Sequence, residues 1–116
     1  MIDSHCHLAD QKLEGDLEEV LERAKEAGVE RMVTIACDLD EGKRGITIAE
    51  KYLHIFATVG VHPHNAKMWL SDRAPAFAKA TAGKQDDTSS LSKLRSLVSS
   101  SKRVMAIGEI GLDYHY

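Results

Sequence analysis

The chain has 116 residues, of which 43% are hydrophobic, and a formal net charge of −3 at pH 7. This length suits one modest domain, and the small negative charge excludes a global basic field for binding nucleic acid. The apolar runs are too short to span a membrane, so we expect no membrane contact. The first residues show no leader pattern, and the two cysteines do not make a disulfide framework. We therefore expect a cytoplasmic protein with reduced thiols.

Strand and helix patterns alternate along the chain. The predicted elements, in order, are a strand at 1–3, a helix at 13–27, a strand at 29–36, a helix at 41–53, a strand at 55–60, a helix at 91–98 and a strand at 103–108. Gly28 is a plausible stop for the first helix, whereas Gly42 and Gly45 weaken the start of the second. Four strands separated by helices favour an α/β fold with a parallel sheet and right-handed crossovers.

Residues 71–92 do not fit this alternation. The segment is rich in Ala, Lys, Ser, Thr and Asp and has little apolar periodicity. It is predicted to be a flexible insertion on the surface. Two interpretations are open: a solvated loop, which the composition favours, and a loop whose lysines contact a nucleic-acid backbone.

Two histidines follow the first predicted strand. Side chains two apart on an extended segment point to the same side, so His5 and His7 are able to bind one ion while Cys6 points away. Neutral imidazole is a good ligand for divalent transition metals. The alternative is a pair of polar residues that end a strand, but the position at the carboxyl end of the first strand favours metal binding.

A glutamate stands where the fourth predicted strand stops. Glu109 lies between Gly108 and Ile110-Gly111, and flanking glycines let an ion or substrate approach the backbone closely. A carboxylate is also able to bridge two ions. Taken alone, the pattern equally describes a surface glutamate in a turn. Ligands at the carboxyl ends of strands are, however, how a parallel α/β barrel builds its active site.

Further polar residues follow the third and fourth strands. We assign His62 and His64 to substrate or phosphate contact, with turn histidines as an equal alternative. Asp113 lies in the exit loop of the fourth strand, either near the site or in solvent. His54 precedes a strand at the opposite end and receives no role. Cys37 ends the second strand with no base evident beside it.

Three segments resemble the TatD family of metal-dependent deoxyribonucleases. They are IDSHCHL at 2–8, ATVGVHPH at 57–64 and IGEIGLDYH at 107–115. The resemblance implies a TIM barrel in which two divalent metal ions activate water to hydrolyse phosphodiester bonds in DNA, single-stranded or at duplex ends. It implies that His5 and His7 bind the first ion and that Glu109 is the catalytic carboxylate that bridges both.

The family takes two more histidines and an aspartate from later strands. The resemblance therefore implies that residues 1–116 form a partial barrel, about the first four βα units. Two alternatives stay open. One is another metal-dependent barrel hydrolase that acts on an amide, lactone or ester. The other is an inactive half-barrel that self-associates through its open sheet edges. We expect the isolated chain to be inactive rather than active.

Overall fold

The computed structural model describes residues 1–66 and 90–114 of the chain. Its strands and longer helices are β1 (Ile2–Cys6), α1 (Leu17–Glu26), β2 (Arg31–Thr34), α2 (Leu39–Lys51), β3 (Ile55–Val59), α3 (Ser90–Ser100) and β4 (Val104–Ile107). Short 3-10 turns occupy Gln11–Leu13 and Pro63–Asn65. None of the helices in the described ranges has the length and apolar character needed to cross a membrane.

The four strands form one parallel sheet in the order β1-β2-β3-β4. The prediction of an α/β fold with a parallel sheet is confirmed. The first strand is longer than predicted: β1 continues to Cys6, so His5 lies within the strand and His7 directly after it. An irregularity in the pairing of β1 with β2 falls between Asp3 and Cys6.

The first helical segment is divided in two. Asp10 caps a short turn by accepting a hydrogen bond from the Lys12 amide at 2.9 Å, and α1 begins only at Leu17. The apolar stripe that predicted the helix faces the core, where Leu21 is buried. Gly28 adopts a φ of 83°, a left-handed conformation that favours glycine and ends the helix as predicted.

The core lies between the sheet and α2. Ile55, Ala57 and Val59 of β3 are completely buried against this helix and its neighbours. Gly42 also has a packing role that the sequence did not predict, because a Cβ on Gly42 would lie 2.8 Å from Cγ1 of Val59. The small residue therefore allows helix and strand to pack closely.

The start of α2 is also two residues earlier than predicted. The Asp38 side chain accepts a hydrogen bond from the Glu41 amide at 2.7 Å and so caps a helix that begins at Leu39. The predicted insertion at 71–92 overlaps the next helix, because its residues 90–92 form the beginning of α3. The rest of that prediction, residues 71–89, lies outside the described residues.

Candidate metal centre

The predicted site residues gather at the carboxyl ends of the strands. Because the strands are parallel, the segments that leave them meet at one edge of the sheet. There they surround an open cleft of about 500 Å³. Its lining residues are His5, His7, Cys37, His62, His64, Asn65 and Glu109.

Three of these residues bring potential metal ligands together. The donor atoms of His5, His7 and Glu109 all lie within 4.8 Å of one another. Nε2 of His5 is 4.0 Å from Oε2 of Glu109, and the rings of His5 and His7 have centroids 5.2 Å apart. An ion that binds such donors at about 2.1 Å in tetrahedral geometry spaces them roughly 3.4 Å apart. A small inward movement of the three side chains would therefore bring their donor atoms to the spacing that an ion needs. Two imidazoles with one carboxylate are a suitable ligand set for a divalent cation.

The backbone around Glu109 is fixed by three hydrogen bonds. The Glu109 amide donates to the Ala36 carbonyl at 3.0 Å, and the Gly108 amide donates to the Val59 carbonyl at 3.0 Å. The buried Thr58 hydroxyl donates to the Gly108 carbonyl at 2.8 Å. Contacts from the ends of β2 and β3 thus determine where β4 delivers its carboxylate.

Gly60 makes this placement possible. A Cβ at this position would lie 2.4 Å from the carbonyl carbon of Gly108 and 2.7 Å from the carbonyl oxygen of Glu109. Only a residue without a side chain allows the chain after β3 to pass so close to the chain after β4. From the sequence, Gly60 was predicted only to be the last residue of a strand.

The two histidines after β3 have different surroundings. Nε2 of His62 lies 3.9 Å from Oε1 of Glu109, so this ring borders the donor group. His64 instead contacts Asp113, with 2.6 Å between Nε2 and Oδ2. Asp113 thus lies beside His64 at the rim of the cleft and is itself exposed.

The loop after β3 is itself held in place by the end of β2. The His62 amide and the Asn65 side chain both donate to the Cys37 carbonyl, at 2.9 Å and 3.1 Å. His54, to which no role was assigned, lies just before β3 at the opposite end of the strand.

Sequence reasoning missed Glu41. This glutamate is 8% exposed, and its Oε2 accepts a hydrogen bond from the Cys37 amide at 2.7 Å. Its Oε1 lies 3.8 Å from Nδ1 of His7. The available signal was the Asp38-x-x-Glu41 spacing after a strand, which is typical of a helix start rather than of a binding site.

The expectation that no base stands beside Cys37 was wrong. Its thiol lies 4.0 Å from Oε2 of Glu109. Burial, reinforced by the negative charges of Glu41, Glu109 and Asp38, raises the pKa of Cys37 to about 11.

The other cysteine has a different environment. The Cys6 thiol donates to the Val33 carbonyl at 3.4 Å and is partly rather than fully buried. Burial, with a smaller contribution from the charge of Asp3, raises the pKa of Cys6 to about 11. Both cysteines are free thiols.

Parallel strands with intervening helices, and metal-type donors gathered where the strands end, define this chain as part of a (β/α)-barrel protein. The family described as "TatD related DNase" matches residues 2–116. The chain therefore belongs to the TatD family.

Individual relatives agree with this assignment. The uncharacterized metal-dependent hydrolase YabD of Bacillus subtilis is 34% identical over 116 residues, which are 100% of this chain and 38% of the relative. The 3'-5' ssDNA/RNA exonuclease TatD of Cronobacter sakazakii is 30% identical over 99% of this chain and 37% of its own length. The chain thus spans less than two fifths of the curated relatives.

A solved structure shows the same fold. The crystal structure of YJJV, a TatD homologue from Escherichia coli K12, superimposes with a TM-score of 0.75 and 31% sequence identity. The match covers 100% of this chain and 39% of that chain. Together, these comparisons confirm the predicted family and the predicted first part of a TIM barrel, and place the chain among relatives that are metal-dependent hydrolases and nucleases.

Proposed function

We propose that this chain provides part of the active site of a metal-dependent nuclease that hydrolyses phosphodiester bonds in DNA. The observation that carries the proposal is the convergence of His5, His7 and Glu109 from opposite edges of the sheet to within 4.8 Å. A divalent ion bound there would supply activated water and stabilise negative charge on the reacting phosphate. The nuclease name of the Cronobacter relative supports a nucleic-acid substrate.

The residues of this chain have distinct roles in the proposal. The imidazoles of His5 and His7 donate neutral nitrogens, while the carboxylate of Glu109 supplies the negative charge that a cation needs. Oε2 of Glu109 faces His5 at 4.0 Å, whereas Oε1 faces His62 at 3.9 Å. Two oxygens that face different sides support the role of Glu109 as a carboxylate shared by two ions.

Substrate contact is assigned to the rim after β3 and β4. His62, His64 and Asp113 lie there, with His64 and Asp113 in direct contact. Because the chain has a net charge of −3, histidines and bound cations rather than a basic surface would attract the phosphate. We assign phosphate contact to His62, which borders Glu109, and further substrate contact at the rim to His64 and Asp113.

The first experiment measures hydrolysis of labelled single-stranded DNA by the 116-residue chain with Mg²⁺ or Mn²⁺ and with a chelator. Because the chain provides only part of the active site, little or no cleavage by the chain alone is expected. Any cleavage that does occur should need the ion and disappear in Glu109→Gln. His54→Ala is the matched control, because it replaces a histidine at the other end of the strands. Cleavage that persists with the chelator or in Glu109→Gln, or failure of the chain to bind the ion, would contradict the proposal.

A substrate panel tests the other hydrolase class. Dipeptide and lactone substrates are offered under the same conditions as DNA and RNA. Turnover of a dipeptide or lactone, with DNA and RNA left intact, would replace the nuclease proposal by an amidase or lactonase.

Self-association is proposed on a separate observation. Met105 and Ile107 of the edge strand β4 are 62% and 53% exposed, and an unpaired edge with apolar side chains favours pairing. A mass above that of one chain in light scattering is expected. A monomer at all concentrations, with the fold intact, would contradict it.

A further inference from the structure

A second group of donors lies on the β2 side of His7. The donor atoms of His7, Cys37 and Glu41 are all within 4.8 Å of one another. They come from the chain after β1, the chain after β2 and the first turn of α2. Neither Cys37 nor Glu41 has a role in the proposed hydrolysis.

The geometry around Glu41 suits a cation. Its Oε2 already accepts the Cys37 amide at 2.7 Å, which fixes the carboxylate. The other oxygen points toward Nδ1 of His7 at 3.8 Å, too far for a hydrogen bond. This separation is close to the roughly 3.4 Å that a tetrahedral ion imposes on two ligands.

The surrounding charge favours a cation as well. A cleft of about 600 Å³ opens beside the group, and Asp10, Asp38 and Asp40 also line it. Arg44 is the one cationic residue among the lining residues described, and its Nε donates to the Ala9 carbonyl at 3.0 Å. The negative side chains near His7 and Glu41 thus outnumber the positive ones.

We infer that His7, Cys37 and Glu41 form a binding site for a thiophilic divalent cation such as Zn²⁺ or Cd²⁺. Thiolate with imidazole and carboxylate selects zinc-like ions over Mg²⁺, which prefers oxygen ligands alone. As the sulfur–metal bond forms, the Cys37 thiol releases its proton to solvent. The site goes beyond the proposed nuclease centre, whose donors contain no sulfur.

Cadmium alone, titrated into the full 116-residue chain, tests the inference. Binding at Cys37 gives an ultraviolet thiolate-to-cadmium charge-transfer band, which should vanish in Cys37→Ser and persist in the matched control Cys6→Ser. Glu41→Gln should weaken cadmium binding roughly tenfold or more. Circular dichroism verifies that each variant is folded.

Two further measurements make the test independent of the proposed function and of variant folding. His5→Ala removes a donor of the other group only, so the cadmium band should survive it. In the unmodified chain, cadmium should protect Cys37 from alkylation but not Cys6. A band retained in Cys37→Ser, unchanged binding in Glu41→Gln, or equal protection of both cysteines would overturn the inference.

Discussion

Nε2 of His5 lies 4.0 Å from Oε2 of Glu109, although β1 and β4 are opposite edges of the sheet. In a flat sheet, three strand spacings of roughly 4.8 Å would hold these edges roughly 14 Å apart. The strands therefore curl around the side on which both side chains lie, as closure into a barrel requires. The candidate metal centre exists because of this curvature.

The first prediction concerns the affinity for a divalent ion. His5→Ala and Glu109→Gln should each weaken Mn²⁺ binding roughly tenfold or more, because each removes one of three donors. Isothermal calorimetry measures the change, with His54→Ala as the control. Equal loss in the control, or unchanged affinity in Glu109→Gln, would show that the ion binds elsewhere.

Gly60→Ala should lower the free energy of unfolding by about 1–3 kcal/mol, as overpacking does. The new Cβ would meet the carbonyl carbon of Gly108 at 2.4 Å, so the chain that carries Glu109 must shift. Urea denaturation gives the stability, and calorimetry should show weaker ion binding as well. Gly15→Ala is the control, because its Cβ would have no neighbour within 4 Å; equal effects of the two changes would contradict the steric explanation.

Thr58→Val should be more destabilising than Thr58→Ser by about 1–3 kcal/mol. The buried hydroxyl donates to the Gly108 carbonyl at 2.8 Å and accepts from the Ala36 amide at 3.4 Å, and valine leaves both without this partner. Serine keeps the oxygen and serves as the control. Denaturant unfolding measures the stability of the two variants. If Thr58→Ser were less stable than Thr58→Val, the hydroxyl hydrogen bonds would not explain the effect of Thr58→Val.

The Cys6 thiol should react slowly in the folded chain. Its pKa is raised from the ordinary value of 9.0 to about 11, first by burial and then by Asp3. Since the folded value is the higher one, the associated stability is fully present below pH 9.0 and is lost as the pH rises through about 11.

Alkylation in a Cys37→Ser background isolates Cys6. At pH 9.0, the folded chain should react far more slowly than the chain in urea. The free energy of unfolding should fall as the pH is raised from there, and this fall should be smaller in a variant that also carries Cys6→Ser. Equal alkylation rates in the folded and unfolded chains would refute the prediction.

Arg103→Ala should destabilise the fold by about 2 kcal/mol or more without weakening ion binding. The guanidinium donates to the carbonyls of Ala49, Leu53 and Ile55, and charged hydrogen bonds contribute about 1.5–3 kcal/mol.

The position of Arg103 explains why ion binding should not change. It precedes β4, at the opposite end of the strand from Glu109. Lys102→Ala changes an exposed neighbour and is the control in urea denaturation. If Arg103→Ala lost Mn²⁺ affinity while its fold was intact, the claim that Arg103 stabilises the fold without affecting the metal site would be wrong.

The amino-acid sequence alone determined the order of strands and helices and the family. Apolar periodicity is a local property, so it predicted every strand and long helix that the structure describes. Boundaries were less accurate, because they depend on single contacts. The cap by Asp38 starts α2 at Leu39, and pairing with β2 extends β1 to Cys6.

The sequence also predicted the first donors. Alternation along an extended segment put His5 and His7 on one side, and the end of the fourth strand presented Glu109. Only the tertiary structure decided that these residues meet, because the curvature of the sheet is set by the packing of all its strands. It alone placed Glu41 and Cys37 beside His7, since that contact depends on how α2 packs against the sheet and not on any spacing along the chain.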